Sequence, residues 1–148
     1  MLNDLKYNWI NGENACKRIQ TFLVQIDDVI VPRLSDRVNI DEYALKLAVN
    51  AMNVFITENG IDLASCSVYC NKADAYISSI AVKKEYQHRG IGIYMMKLVK
   101  KYVKEHGCVS ISLKVYKKNK KAYFYYLYNG FEVVHDEENW ITMYYHVS

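Results

Sequence analysis

The chain has 148 residues, 51% of them apolar and 24% charged, and its 19 Lys and Arg against 16 Asp and Glu leave a net charge of +3. That length suffices for one domain, spanning 1–148, that buries a core without covalent staples, and the near balance of charge does not call for a nucleic-acid partner. No apolar run approaches a membrane span and the opening residues (Met1-Leu2-Asn3-Asp4-Leu5-Lys6) contain no signal-peptide core, so a cytoplasmic protein without a membrane partner is expected.

In chain order, residues 5–10 read as a short first strand. Ala15, Ile19, Phe22, Leu23, Ile26, Val29 and Ile30 recur at helical spacing, which predicts a helix that Pro32 ends. Asn39, with Glu42 three residues on, has the form of a capping box and predicts a second helix through Tyr43, Leu47 and Ala51. Asn59-Gly60 joins strand-like runs at 52–57 and 61–69 as a hairpin, and after a turn at 71–74 a strand follows over 75–82. Ile91, Met95, Leu98, Val99 and Tyr102 form the apolar stripe of a third helix, with Gly107 at its end. Val109, Ile111, Leu113 and Val115 alternate with Ser110, Ser112, Lys114 and Tyr116, which reads as a half-buried strand. A short helix at 120–129 stops at Gly130, and strands at 131–135 and 140–147 close the chain. The order (β)ααβββαβαββ predicts an α/β (α+β) fold with a mixed sheet.

The cysteines, Cys16, Cys66, Cys70 and Cys108, match no zinc-module spacing. Cys66 and Cys70 fall in one strand-like run, about 13 Å apart on one face, too far to share a metal. Free buried thiols and no metal are expected, as suits a reducing compartment.

The most informative segment is Gln87-His88-Arg89-Gly90-Ile91-Gly92, between the strand ending at Val82 and the helix beginning near Ile91. The first turn of a helix has free N–H groups and the positive end of the helix dipole, and glycines let a phosphate approach that backbone closely. The segment therefore predicts a phosphate-bearing ligand, a pyrophosphate foremost; the plain alternative is a glycine turn used for geometry only. It lacks the third Gly of a dinucleotide fingerprint and the Gly-Lys-Ser/Thr of a P-loop.

Two spaced motifs resemble the GNAT N-acetyltransferase superfamily. The first is the Gln/Arg-x-x-Gly-x-Gly/Ala turn, here Gln87 to Gly92. The second is Asn-x-x-Ala-x-x-x-Tyr-x-x-x-Gly-Phe, here Asn119, Ala122, Tyr126, Gly130 and Phe131. The resemblance covers nearly the whole order of elements and implies a mixed, mostly antiparallel central sheet flanked by helices. It implies acetyl-coenzyme A as donor, with Gln87 in the binding turn and the backbone N–H groups of His88, Arg89, Gly90, Ile91, Gly92 and Ile93 on the pyrophosphate. It further implies that the pantetheine arm pairs with backbone at Ile80 and Val82, that Asn119 contacts the arm and positions its helix, and that the Tyr126 hydroxyl lies near the thioester sulfur as the acid for the departing thiolate. For Tyr126, among so many aromatics, the alternative is core packing. Arg89 reads equally as a phosphate contact or a solvated loop charge. Lys117, Lys118, Lys120 and Lys121 read as a solvated face or as contacts to the coenzyme's 3′-phosphate.

Direct attack on a thioester needs a neutral amine, and an amine of pKa near 10.4 is neutral only about once in a few thousand at pH 7. No Asp or Glu lies between Asp74 and Glu85 to serve as base; Tyr76, Ser78 and Ser79 offer a water relay, and His135 reads as a surface histidine more readily than as a base. Arg33 and Arg37, flanking Ser35 and Asp36, offer charge for an anionic acceptor such as a nucleotide-linked amino sugar, or are ordinary loop charges. The leading expectation is an acetyltransferase acting on a primary amine of a small metabolite, an amino sugar among them, as a monomer or homodimer. The alternatives are a protein N-acetyltransferase, a non-catalytic acyl-CoA-binding module, and an RNA-binding domain built on the Lys117–Lys121 run and nearby tyrosines.

Overall fold

Asn59 and Gly60 both take positive φ (52° and 78°), the backbone that a tight, right-twisted hairpin requires. They join two of seven strands: β1 (Lys6–Ile10), β2 (Met52–Glu58), β3 (Ile61–Tyr69), β4 (Asp74–Val82), β5 (Ser110–Tyr116), β6 (Glu132–Asp136) and β7 (Trp140–His146). The helices are α1 (Cys16–Gln25), α2 (Ile40–Asn50), α3 (Ile91–Glu105) and α4 (Lys120–Tyr128). The computed structural model describes residues 4–147; Met1, Leu2 and Asn3, part of the segment read for a leader, lie outside the described residues. The strands form one sheet in the order β1-β2-β3-β4-β5-β7-β6, antiparallel except between β4 and β5.

Alternation along the strands supplies two cores. Val54 and Ile56 of β2 face α3 and α4 with Val68, Ile77, Met95, Val99, Leu113 and Phe131. Phe55, on the opposite side, packs with Ile19, Phe22 and Leu23 of α1 and Leu47 of α2. One buried amide ties these layers together. Asn53 donates to the carbonyls of Leu47 (3.1 Å), Ala51 (3.2 Å) and Ile10 (3.3 Å) and accepts from the Ser67 hydroxyl (2.5 Å), so the end of α2 finds its partner inside the protein.

Several boundaries differ from the sequence reading. The first helix stops at Gln25 instead of running to Ile30, because Asp27 is captured out of helical geometry: its carboxylate accepts from the Ser35 amide (2.7 Å) and hydroxyl (2.6 Å) and pairs with Arg33. Val29 and Ile30 thus leave the helical stripe and turn toward the cleft described below. The Asn39 cap is present, its side chain accepting from the Glu42 amide at 3.0 Å. Val109 precedes β5 and is 49% exposed, whereas Ser110 is fully buried with its hydroxyl 2.5 Å from Asp74. All four thiols are free, but only Cys66 and Cys108 are buried. Cys70 lies past the end of β3; burial and the adjoining Cys108 thiol push its pKa up to about 12.

Candidate active site

Strands β4 and β5 pair only over Asp74–Tyr76 with Ser110–Ser112 and then part. A bulge opens the gap: Ser79 faces Ser67 on β3, but Ile77 faces Val68, leaving Ser78 as the extra residue. The bulge also changes the parity of the strand. Ala75 and Ile77 before it, and Ile80 and Val82 after it, all pack into the α3–α4 core, which an unbroken period of two forbids. The parted ends bound a cleft of about 750 Å³, floored by α3 and α4, at the carboxyl ends of two parallel strands.

Backbone direction follows from register. The Lys83 amide donates to the Leu63 carbonyl at 2.9 Å, so Ala81 and Ser79 share its bonded phase toward β3, while Ile80 and Val82 turn their N–H and C=O groups away from β3 and toward the cleft. The Val82 carbonyl accepts from the Gln87 side chain at 3.1 Å, and Gln87 in turn accepts from Lys121 at 2.5 Å. Gln87 therefore staples the turn to β4 and α4.

His88 and Gly90 are both left-handed (φ 65° and 80°), and Gly90 caps α3. The first helical bond runs from the Tyr94 amide to the Gly90 carbonyl at 3.1 Å, and among the described residues the N–H groups from His88 through Ile93 meet no acceptor. Alternating handedness at a helix N-terminus converges such donors on one anion-sized position. The Arg89 side chain forms a two-pronged ion pair with Glu58 (3.0 and 3.4 Å).

Asn119 caps α4, accepting from the Ala122 amide at 3.1 Å, and lines the cleft. The Tyr125 hydroxyl donates to the Gly92 carbonyl at 2.6 Å, tying α4 to the first turn of α3. Tyr126 lines the cleft, 7% exposed, and among the described residues its hydroxyl makes no hydrogen bond. Burial, then the neighbouring Cys66 and Tyr76, raises its pKa, so the phenol holds its proton.

At the Ser78 end the Tyr43 hydroxyl donates to the Ser78 carbonyl (3.1 Å) and lies 2.5 Å from the Ser78 hydroxyl. Tyr43 thus fixes α2 against the bulge. Six residues before it, Arg37 crosses the gap, its guanidinium 5.4 Å from the centre of the Trp140 ring at the start of β7. Tyr76, Ser78, Ser79 and Asp28 also line the cleft. Arg33 is held by Asp27, Lys117 by Asp136, and His135 sits exposed on the outer strand β6. Among the described residues no group of His, Cys, Asp or Glu is arranged to hold a metal ion, and no helix is long and apolar enough to cross a membrane.

Sequence reasoning missed the bulge, the Tyr43–Ser78 link and the Arg37–Trp140 bridge. The bulge alone left a trace: the apolar residues of 75–82 change parity between Ile77 and Ile80.

The sequence profile described as the acetyltransferase (GNAT) family matches residues 33–131. Among curated proteins none matches the chain in sequence. Its fold is similar to that of a PaiA N-acetyltransferase from Thermoplasma acidophilum in complex with coenzyme A (14% identity, TM-score 0.78, covering 96% of this chain and 98% of that one). It is also similar to the ribosomal-protein-S18-alanine N-acetyltransferase from Escherichia coli (19% identity, TM-score 0.73, 97% and 95% covered) and to the GNAT domain of S. lividans PAT (16%, 0.77, 96% and 90%).

Proposed function

The chain belongs to the GNAT acetyltransferase family, and from that premise we propose that it transfers the acetyl group of acetyl-CoA to a primary amine of a small metabolite. The observation that carries the donor half is the run of unpartnered N–H groups from His88 to Ile93 at the head of α3, which suits a pyrophosphate. Gln87 holds that turn in place. Ile80 and Val82 offer backbone groups to the amides of the pantetheine arm, with one Val82 acceptor site already used by Gln87. The second acceptor site of that carbonyl and both N–H groups remain. Asn119 keeps its amide N–H groups for the arm while its oxygen caps α4.

In this reading the amine nitrogen attacks the thioester carbonyl, and a C–N bond forms as the carbonyl electrons move to oxygen. A cleft-facing N–H of Ile80 or Val82 stabilises that oxyanion. The C–S bond then breaks, and the thiolate takes the proton of Tyr126, a phenol protonated at neutral pH, which then regains a proton from water in the cleft. The proton lost by the amine leaves through water held by Tyr76, Ser78 and Ser79. Alignment of two reactants in one cleft supplies much of the remaining acceleration.

The Arg37–Trp140 contact, between two residues of the cleft lining, supports a small acceptor over a folded protein, since it narrows the cleft. The free thiols agree with a reducing, cytoplasmic setting. An acceptor screen with purified protein, read as free thiol released from acetyl-CoA, tests the proposal. Release that depends on a small amine supports it. Release only with peptides or proteins transfers the reading to protein acetylation, and acetyl-CoA binding with no release for any amine leaves a binding module.

A further inference from the structure

The charges lining the acceptor end are few, and most charged side chains near it are already paired. Asp27 takes Arg33, Glu137 takes Lys114 and Gln87 takes Lys121. Four cleft-lining charges form no ion pair among the described residues: Lys84 and Lys121, which lie with the Gln87 turn, and, on the segment between α1 and α2, the guanidinium of Arg37 and the carboxylate of Asp28, both exposed to solvent. Arg37 and Asp28 flank the same wall, since both belong to the segment between α1 and α2 that Asp27 pins through Ser35. Arg37 also has an aromatic neighbour. Its guanidinium carbon lies 5.4 Å from the centre of the Trp140 ring, another residue of the cleft lining. A guanidinium beside an indole and without a carboxylate partner keeps N–H groups for a two-oxygen partner. Ordinary surface arginines have no such neighbour across a gap.

We propose that the acceptor is a zwitterion: Arg37 binds its oxyanion group, a carboxylate or a phosphate, and Asp28 attracts its ammonium end into the cleft before it loses a proton and attacks. The inference rests on the acetyl-transfer reading of the cleft and narrows its acceptor class. The two charges concentrate the acceptor, and the fraction that is neutral reacts.

The test uses matched amines with and without the oxyanion: 4-(aminomethyl)benzoate against benzylamine for a carboxylate, and 2-aminoethyl phosphate against 2-aminoethanol for a phosphate. With wild-type protein, kcat/KM for the anionic member of at least one pair is expected to exceed that of its neutral partner by about ten- to a hundredfold, the usual worth of a hydrogen-bonded ion pair. Which pair shows the preference identifies the group. In Arg37→Gln the preference should collapse through KM of the amine, with KM for acetyl-CoA unchanged, and Arg37→Lys should restore part of it. Asp28→Asn should raise the amine KM for both members of a pair. Equal use of neutral and anionic amines, or a preference that survives in folded Arg37→Gln, overturns the zwitterion assignment while leaving acetyl transfer standing. Failure of wild-type protein to bind acetyl-CoA overturns both.

Discussion

The hydroxyl of Tyr125 donates to the Gly92 carbonyl at 2.6 Å, whereas its neighbour Tyr126, which also lines the cleft, makes no hydrogen bond through its hydroxyl among the described residues. Adjacent phenols of one helix thereby differ: one ties α4 to the head of α3, and in the proposed reading the other supplies the proton for the leaving thiolate. Tyr126→Phe should lower kcat by about ten- to a thousandfold with little change in coenzyme affinity, as loss of a general acid does. Tyr125→Phe should weaken acetyl-CoA binding and cost about 1 kcal/mol of stability. Steady-state kinetics with calorimetry on both variants separates the roles, and a wild-type rate in Tyr126→Phe, with the chemical step limiting, returns Tyr126 to core packing.

Tyr43→Phe removes the hydroxyl that holds Ser78, the extra residue of the β4 bulge. The Ser78 carbonyl then relies on water, and the geometry of the neighbouring Ile80 backbone loosens. The expected result is a several-fold lower kcat, a stability loss of about 1 kcal/mol, and faster amide exchange at residues 78–80. Exchange measured by NMR checks this directly, and protection unchanged from wild type contradicts it.

Asn53→Leu replaces the buried amide that satisfies the Leu47, Ala51 and Ile10 carbonyls. The Ala51 and Ile10 carbonyls and the Ser67 hydroxyl lose this partner, while the Leu47 carbonyl keeps the Ala51 amide, so the cost should be about 2–3 kcal/mol. That corresponds to a melting temperature lower by roughly 5–10 °C. Urea unfolding with an unchanged m-value measures it.

Burial raises the pKa of Tyr43, Tyr125 and Tyr126 above the ordinary phenol value of 10.0. The unfolded chain releases these protons near pH 10, while the folded chain holds them. Their contribution to stability is therefore full below pH 10 and declines as pH climbs beyond it. The same retention means that kcat/KM should rise with the neutral fraction of the amine and show no alkaline fall caused by Tyr126 below pH 10. Denaturant midpoints and rates across pH 7–11 test both statements, and an alkaline limb near pH 8 that vanishes in Tyr126→Phe contradicts the second.

Much of the fold was legible because its signals are local. The Asn59-Gly60 hairpin, the Asn39 cap and the stripe of α3 depend on residues a few positions apart. The glycine turn at the head of α3 was legible for the same reason, since residues 87–92 alone make it. The acceptor end was not. Its shape depends on Asp27 reaching Ser35, on Tyr43 meeting Ser78 and on Arg37 lying over Trp140, pairs that the fold alone brings together. Arg89 shows the same limit: its partner Glu58 is contributed by the far end of β2.

Calorimetric titration of acetyl-CoA into wild-type protein, Gly90→Asn and Gly90→Glu tests the donor site most directly. Asn tolerates the left-handed backbone that Gly90 adopts (φ 80°), whereas Glu brings a carboxylate to the anion position as well as backbone strain. Wild type and Gly90→Asn should bind with a Kd between about 1 μM and 1 mM, the range of coenzyme and substrate affinities, and Gly90→Glu should show no binding while its circular dichroism stays that of the folded chain. No heat with wild type up to millimolar acetyl-CoA, or normal binding by folded Gly90→Glu, contradicts the account.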